Sequence, residues 1–138
     1  DPSGFFKTRK GLWVSESFAD WILPAAKAVA VPQTVIASFE LARSANDAKI
    51  RAAMPEGHVF EVSAFCAHLG GLLRRQATGQ KGDLLTDGTW TVAYVQVGRE
   101  VFAARFCWGS WVREWLLGCG RLDGRDWSLG GRILSRNC

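Results

Sequence analysis

Residues 87–119 read DGTWTVAYVQVGREVFAARFCWGSWVREWLLGC, and they carry the strongest structural signal in the chain. Val, Thr, Phe, Tyr and Trp recur along this stretch with the period of two that is typical of β-strands. Turn signals interrupt it at Gly98 and Arg99 and again at Gly109 and Ser110. Because two-residue turns of this kind join neighbouring antiparallel strands, the stretch predicts a three-stranded meander.

The two turns also predict which side chains share a face of the sheet. They place Val95 opposite Phe102, and Arg105 directly opposite Glu114. Since side chains alternate along a strand, one face collects the predicted core residues Ala93, Val95, Phe102, Ala104, Phe106, Trp108, Trp111, Trp115 and Leu117, interrupted by Arg113. The second face collects Trp90, Val92, Tyr94, Ala103, Cys107, Val112 and Leu116, with Arg105 and Glu114 at its centre.

The rest of the chain predicts helices around this sheet. Apolar residues at helical spacing predict main helices over residues 15–30, where Pro24 introduces a kink or a break, and over residues 63–78. Shorter patterns predict a strand or an extended lead-in at residues 11–14, a strand at residues 131–135 and a helix at residues 48–54. Residues 34–41 alternate as a strand does, and a helical period fits them as well. We therefore predict one α+β domain over residues 1–138, with an antiparallel meander sheet of four to five strands and two main helices packed on one face.

Composition bounds the class of protein. The 138 residues are 48% hydrophobic and 22% charged, as expected for a soluble globular domain, and seven of them are Trp. No apolar run approaches the roughly 20 residues of a membrane span, so no membrane partner is predicted. The net charge of +4 favours an acidic or polyanionic partner.

Residues 1–10 form a predicted basic N-terminal arm that contains Lys7, Arg9 and Lys10. Two interpretations of this arm stay open. The first is a solvated charged segment, which such runs usually are, and the second is a contact with phosphate groups.

The cysteines Cys66, Cys107, Cys119 and Cys138 lack CxxC spacing, so neither a metal site nor thioredoxin-type chemistry is predicted, and no cofactor is predicted either. Scattered cysteines with apolar neighbours are typical of a reducing compartment. We therefore predict a cytoplasmic location.

Catalytic motifs are missing from the sequence. His68 and Cys66 project from opposite sides of a predicted helix, and His58 lies in a predicted surface turn near Glu61. The sequence thus favours a protein without catalytic activity. A cryptic enzyme that uses His58 or Cys66 stays an alternative.

The segment KTRKGLWV at residues 7–14, followed by Phe18, and the segment GRILSRN at residues 131–137 are similar to the opening and closing of a group of small uncharacterised bacterial proteins. The resemblance implies a bacterial origin, with mobile elements as one source. No activity is assigned to that group, so the resemblance implies no function, cofactor or site residue.

The second sheet face is the predicted binding site, with Trp90, Tyr94, Arg105 and Glu114 as its residues. Either another helix covers these aromatic side chains, or they form an aromatic and cationic patch for a partner. Protein and single-stranded nucleic acid are both compatible with such a patch. A small-molecule site between helix and sheet, among the tryptophans, is the alternative binding function.

Overall fold

The computed structural model describes residues 1–32, 35–122 and 126–137, and for Val35 and Asn137 the backbone only. Part of the predicted charged loop, residues 123–125, and Cys138 lie outside the described residues. The strands are β1 Leu12–Val14, β2 Val35–Glu40, β3 Ala45–Asn46, β4 Phe60–Glu61, β5 Thr91–Val97, β6 Glu100–Gly109, β7 Glu114–Arg121, β8 Asp126–Trp127 and β9 Arg132–Asn137. The α-helices are α1 Pro2–Phe5, α2 Asp47–Ala53 and α3 Val62–Arg75.

The strands of the described ranges form a seven-stranded mixed sheet, in which six strands follow the order β1-β7-β6-β5-β9-β2 and the seventh, β4, pairs with β5. The meander β5-β6-β7 is antiparallel, whereas β1 runs parallel to β7, and β9 and β4 both run parallel to β5. β3 and β8 form a separate two-stranded ribbon. The prediction of an antiparallel meander sheet of four to five strands is therefore wrong, because distant segments add parallel strands to both sides of the meander.

The prediction of two main helices on one face is also wrong. In place of a helix over residues 15–30 there is a π-helical turn, Phe18–Ile22, followed by a 3₁₀ turn, Leu23–Ala25. Pro24 has no N–H to donate, and the chain becomes extended at Ala26. Only α3 is a long helix among the described residues, and the short helix α2 contributes to the core on the opposite face of the sheet.

The first hairpin has the predicted register. Gly98, at φ +60°, and Arg99 form the turn, and Val95 pairs with Phe102. The second hairpin differs, because residues 110–113 form a four-residue turn in which Arg113 has φ +57°. Trp108 consequently pairs with Trp115, a shift of four residues.

A shift by an even number of residues keeps each remaining strand residue on its predicted face. Phe102, Phe106 and Trp115 are accordingly buried on the core face, whereas Trp111 lies in the turn and is 86% exposed. The rings of Trp108 and Trp115 meet edge to face, 5.5 Å apart, in the main core. Burying both indoles in contact favours this register over the tight turn, which would have paired Trp108 with Trp111.

The main core lies between the sheet and α3. Glu61 caps the N-terminus of helix α3, because its carboxylate accepts a hydrogen bond from the Ala64 backbone N–H at 3.0 Å. Ser63, the first residue of the predicted helix, lies inside α3, and its hydroxyl accepts a bond from the Lys27 N–H at 2.8 Å. The buried side chains of α3 that face the sheet are Val62, Phe65, Cys66, Leu69, Leu72 and Leu73.

Alanine substitutions at two glycines, one within α3 and one after it, are expected to change the stability in opposite directions. Gly79 has φ +73°, and a Cβ added there would lie 2.2 Å from the Trp108 ring, whereas at Gly71 the nearest atom is the flexible Arg75 guanidinium at 3.6 Å. We expect Gly79→Ala to lower the free energy of unfolding by about 3 kcal/mol. Gly71→Ala should raise it by up to about 1 kcal/mol through helix propensity. Urea unfolding of both variants checks this, and a Gly79→Ala variant as stable as wild type would contradict the close packing.

Candidate binding groove

The carboxylate of Asp47 holds three elements together on the second sheet face. Asp47 is the first residue of α2, follows the capping residue Asn46, and is 3% exposed. Its Oδ1 accepts hydrogen bonds from the Tyr94 hydroxyl of β5 at 2.7 Å and from the Trp127 indole N–H of β8 at 2.9 Å. A charged acceptor strengthens both bonds, so one oxygen ties α2 and the β3-β8 ribbon to the sheet.

A second polar group, His58, joins α2 and the β3-β8 ribbon in a layer that covers part of this sheet face. Its Nδ1 donates to the Pro55 carbonyl at 3.0 Å, which leaves Nε2 as the acceptor for Arg51 Nε–H at 3.3 Å. The imidazole meets the Tyr94 ring edge to face at 5.8 Å. Burial lowers the pKa of His58, opposed by the bond to Pro55 and aided by the charge of Arg51, so the ring is neutral in this network.

This layer covers only part of the second face, and a groove of about 750 Å³ remains open beside it. Its floor includes Val92 of β5, Ala103 and Arg105 of β6, and Gly120 of β7. Trp90 and Trp127 are among the residues of its walls. The groove is therefore a half-apolar depression that two indole rings border.

Arg105 lies along the floor of the groove because the residues of β7 next to its side chain are glycines. Gly118, its cross-strand partner, would place a Cβ 3.1 Å from Arg105 Nε, and a Cβ at Gly120 would lie 3.4 Å from Nη1. The guanidinium carbon is 5.8 Å from the Trp90 ring centroid, within the range of a cation–π contact. The two glycines thus create the space in which Arg105 lies beside Trp90.

The other arginines of the groove are paired with carboxylates. Arg132 lies 3.3 Å from Glu40, and Arg121 lies 3.7 Å from Glu100. Arg105, by contrast, has no carboxylate within 4 Å among the described residues. A partly buried guanidinium without a counter-ion can bind an anionic group that enters the groove.

The structure brings together only some of the predicted site residues. Trp90, 36% exposed, and Arg105 both line the groove, but Tyr94 is fully buried beneath it. The predicted pairing of Arg105 with Glu114 is wrong, because Glu114 begins β7 opposite Gly109. These corrections follow from the longer second turn and from the cover of α2.

The basic arm lies elsewhere. Lys7, Arg9 and Lys10 precede β1, and the residues around them contact α3, which packs on the core face of the sheet. The arm therefore does not contribute to the groove.

Sequence reasoning missed Asp47 and Trp127 as site residues. The predicted helix at residues 48–54 is present as α2, Asp47–Ala53, but the start of a helix gives no sign of a buried acceptor. The predicted meander ends at residue 119, whereas β7 continues through Gly120 to Arg121. The signal that could have found the groove is the pair of alternate glycines opposite an arginine.

The candidate catalytic residues are not placed together. Cys66 belongs to the main core, where burial raises its pKa to about 12, and His58 belongs to the layer on the other face. Burial likewise raises the pKa of Cys119 to about 12. These thiols stay protonated at neutral pH, which argues against a nucleophilic role.

Comparisons of the chain with protein-family models, curated proteins and solved structures give no significant match. The resemblance to small bacterial proteins therefore stays a prediction. Among the described residues, none of the helices has the length and apolar character needed to cross a membrane, and no group of three or more His, Cys, Asp or Glu side chains could hold a metal ion.

Removing the Asp47 carboxylate tests the cover of the second face. Asp47→Ala leaves the buried Tyr94 hydroxyl and the Trp127 indole without an acceptor, so we expect a loss of about 3 kcal/mol in the free energy of unfolding. Asp47→Asn keeps an acceptor oxygen and should lose about 1 kcal/mol. Urea unfolding measures both, with Glu56→Ala, an exposed carboxylate, as the control. Equal losses in Asp47→Ala and the control would contradict the role of Asp47.

The two buried histidines predict acid destabilisation. Burial lowers the pKa of His58 and of His68 below the ordinary 6.5, so the unfolded chain takes up protons first as the pH falls. The contribution of the neutral histidines to the free energy of unfolding is therefore complete above pH 6.5. It declines below that pH, by at most about 1.4 kcal/mol per pH unit for each histidine. Urea midpoints at pH 7.5 and 5.5 should show this fall, and His58→Gln should reduce it. Equal midpoints at both pH values in wild type would contradict it.

Proposed function

We propose that the chain is a non-catalytic binding protein whose groove recognises an acidic segment of a protein partner. The observation that carries this proposal is Arg105, a partly buried cation without a carboxylate partner among the described residues, held beside the half-exposed ring of Trp90. Aromatic and arginine side chains in partly desolvated positions dominate the binding energy of many protein interfaces.

The groove can hold an acidic side chain together with its apolar neighbours. A carboxylate on Arg105 would form charge-assisted hydrogen bonds, which are about twice as strong as neutral ones. Val92, Ala103 and Ile133 supply apolar surface next to it. Alternating polar and apolar contacts of this kind suit an extended peptide.

The charges around the groove favour a protein partner over nucleic acid. The lining contains the cations Arg105, Arg121 and Arg132 and the anions Asp47 and Asp126. Glu40 and Glu100 pair with two of these arginines, so Arg105 is the one cation of the described lining without a carboxylate within 4 Å. One free cation suits one carboxylate, whereas a phosphate chain requires several cations in a row.

A small molecule is a second candidate occupant. The volume of about 750 Å³ lies within the range of about 300–1,000 Å³ that is typical of ligand pockets. Such a ligand would carry one anionic group for Arg105 and a flat ring for Trp90. Three buried free thiols, Cys66, Cys107 and Cys119, support the further proposal that the protein works in a reducing compartment such as the cytoplasm.

Selection from a random peptide library tests the proposal. We expect peptides retained by the wild-type protein to carry an Asp or Glu next to an apolar residue, and to bind Arg105→Gln more than about tenfold more weakly. Arg99→Gln, at the exposed tip of the first hairpin, removes the same charge and should bind as wild type does. Isothermal titration calorimetry measures the affinities, and circular dichroism checks that both variants fold.

Three outcomes would contradict the protein-binding proposal. The first is an absence of enriched peptides, and the second is equal binding by Arg105→Gln. The third is binding of single-stranded DNA that Arg105→Gln alone abolishes, since the groove would then belong to nucleic acid. An organic acid that binds through Arg105 while no peptide does would select the small-molecule function.

A further inference from the structure

The basic N-terminal segment is folded onto the domain. Arg9 and Leu12 exchange backbone hydrogen bonds of 2.9 and 3.0 Å around Lys10 and Gly11, which has φ +90°. The Thr8 hydroxyl donates to the Val14 carbonyl at 3.2 Å and accepts from the Val14 N–H at 3.0 Å. This tight turn fixes the backbone from which the exposed side chains of Lys7 and Lys10 project.

Helix α3 adds Arg74 to this surface. The guanidinium carbons of Arg74 and Arg9 lie 4.3 and 4.8 Å from the centroid of one ring, that of Phe5. Arg9 also donates to the Phe5 and Lys7 carbonyls. Gly70 leaves room for Arg74, since a Cβ there would lie 3.4 Å from its Nη1. We call Lys7, Arg9, Lys10 and Arg74 the arm–helix cluster.

The arm–helix cluster forms no ion pair among the described residues, although Asp1 lines a hollow next to Arg74. None of its four cations has a carboxylate within 4 Å among the described residues. A second hollow, of about 220 Å³, is lined by Arg9, Lys10 and Arg74 without any acidic side chain. The nearby Arg75 differs, because it lies 3.9 Å from Asp83. Arg9, Lys10 and Arg74 line one hollow, and like charges this close repel one another, so a bound polyanion would relieve that repulsion.

We propose that the arm–helix cluster is a contact surface for the phosphate backbone of nucleic acid, separate from the peptide groove. Several cations carried by an ordered turn and a helix match a chain of phosphates, which binds by neutralising successive charges. Because the Phe5 ring is already covered by two guanidinium groups, the cluster contacts phosphates rather than stacking bases. Binding through it is therefore independent of base sequence.

Fluorescence anisotropy with a labelled 20-nucleotide single strand of mixed sequence tests the surface between 20 and 200 mM salt. If all four cations contact phosphates, the logarithm of the affinity falls with the logarithm of the salt concentration with a slope of about −3. The triple variant Lys7→Gln, Lys10→Gln, Arg74→Gln should reduce this slope to about −1 and weaken binding more than about tenfold at 50 mM salt.

A matched control removes the same charge elsewhere. The triple variant Arg43→Gln, Lys49→Gln, Lys81→Gln changes three exposed cations outside the cluster and should keep the wild-type slope. Arg105→Gln should also bind the oligonucleotide as wild type does, which separates this surface from the groove.

The inference is overturned if wild type does not bind the oligonucleotide at 20 mM salt, or if the two triple variants weaken binding equally. It is also overturned if only Arg105→Gln weakens binding. Competition with polyglutamate of the same length gives the last outcome. Equal competition would show attraction to any polyanion, whereas weaker competition supports the phosphate backbone.

Discussion

A single carboxylate oxygen, Asp47 Oδ1, organises the second face of the sheet. It accepts bonds from Tyr94 and Trp127, residues that lie 47 and 80 positions further along the chain. Burying a carboxylate costs free energy unless strong donors satisfy it, and here two donors and the start of helix α2 do so. The same bonds place Trp127 at the border of the groove, so the energetics of the cover also determine the shape of the candidate site.

The fold separates two kinds of surface. Helix α3 and the turn around Phe18 fill one face of the sheet with apolar side chains, and the basic arm packs against that helix. The opposite face is only partly covered, by a two-stranded ribbon and a seven-residue helix, and Arg105 lies in the part that stays open. A mixed sheet makes this possible, because the parallel strands β1 and β9 extend the meander on both sides and leave its centre for the groove.

The sequence predicted local features better than distant ones. The first hairpin, the strand at Val35–Glu40 and helices α2 and α3 follow from turn residues, alternation and capping, which act within a few residues. The parallel pairing of β1 with β7 and of β9 with β5 depends on contacts between distant segments, and no local pattern encodes it. The four-residue turn at residues 110–113 is a similar case, since the packing of Trp108 against Trp115 outweighs the local turn signal. Of the candidate site, residue type identified Trp90 and Arg105, but the missing neighbours of Arg105 could be found only from the pairing of β6 with β7.

The groove and the arm–helix cluster share one arrangement of glycine, arginine and an aromatic ring. Glycine leaves room for an arginine, at Gly118 and Gly120 for Arg105 and at Gly70 for Arg74, and an aromatic ring lies beside each guanidinium. A guanidinium is planar and weakly hydrated, so it can rest against backbone and ring while its N–H edge still points to a partner. A glycine in a strand or helix costs about 1 kcal/mol relative to alanine. Because neither arginine has an acidic partner among the described residues, this cost is not recovered through an internal ion pair. An anion bound from outside would form an ion pair. The two proposed surfaces differ in the number of described cations without an ion pair: one, Arg105, in the groove, and four in the arm–helix cluster around Arg74.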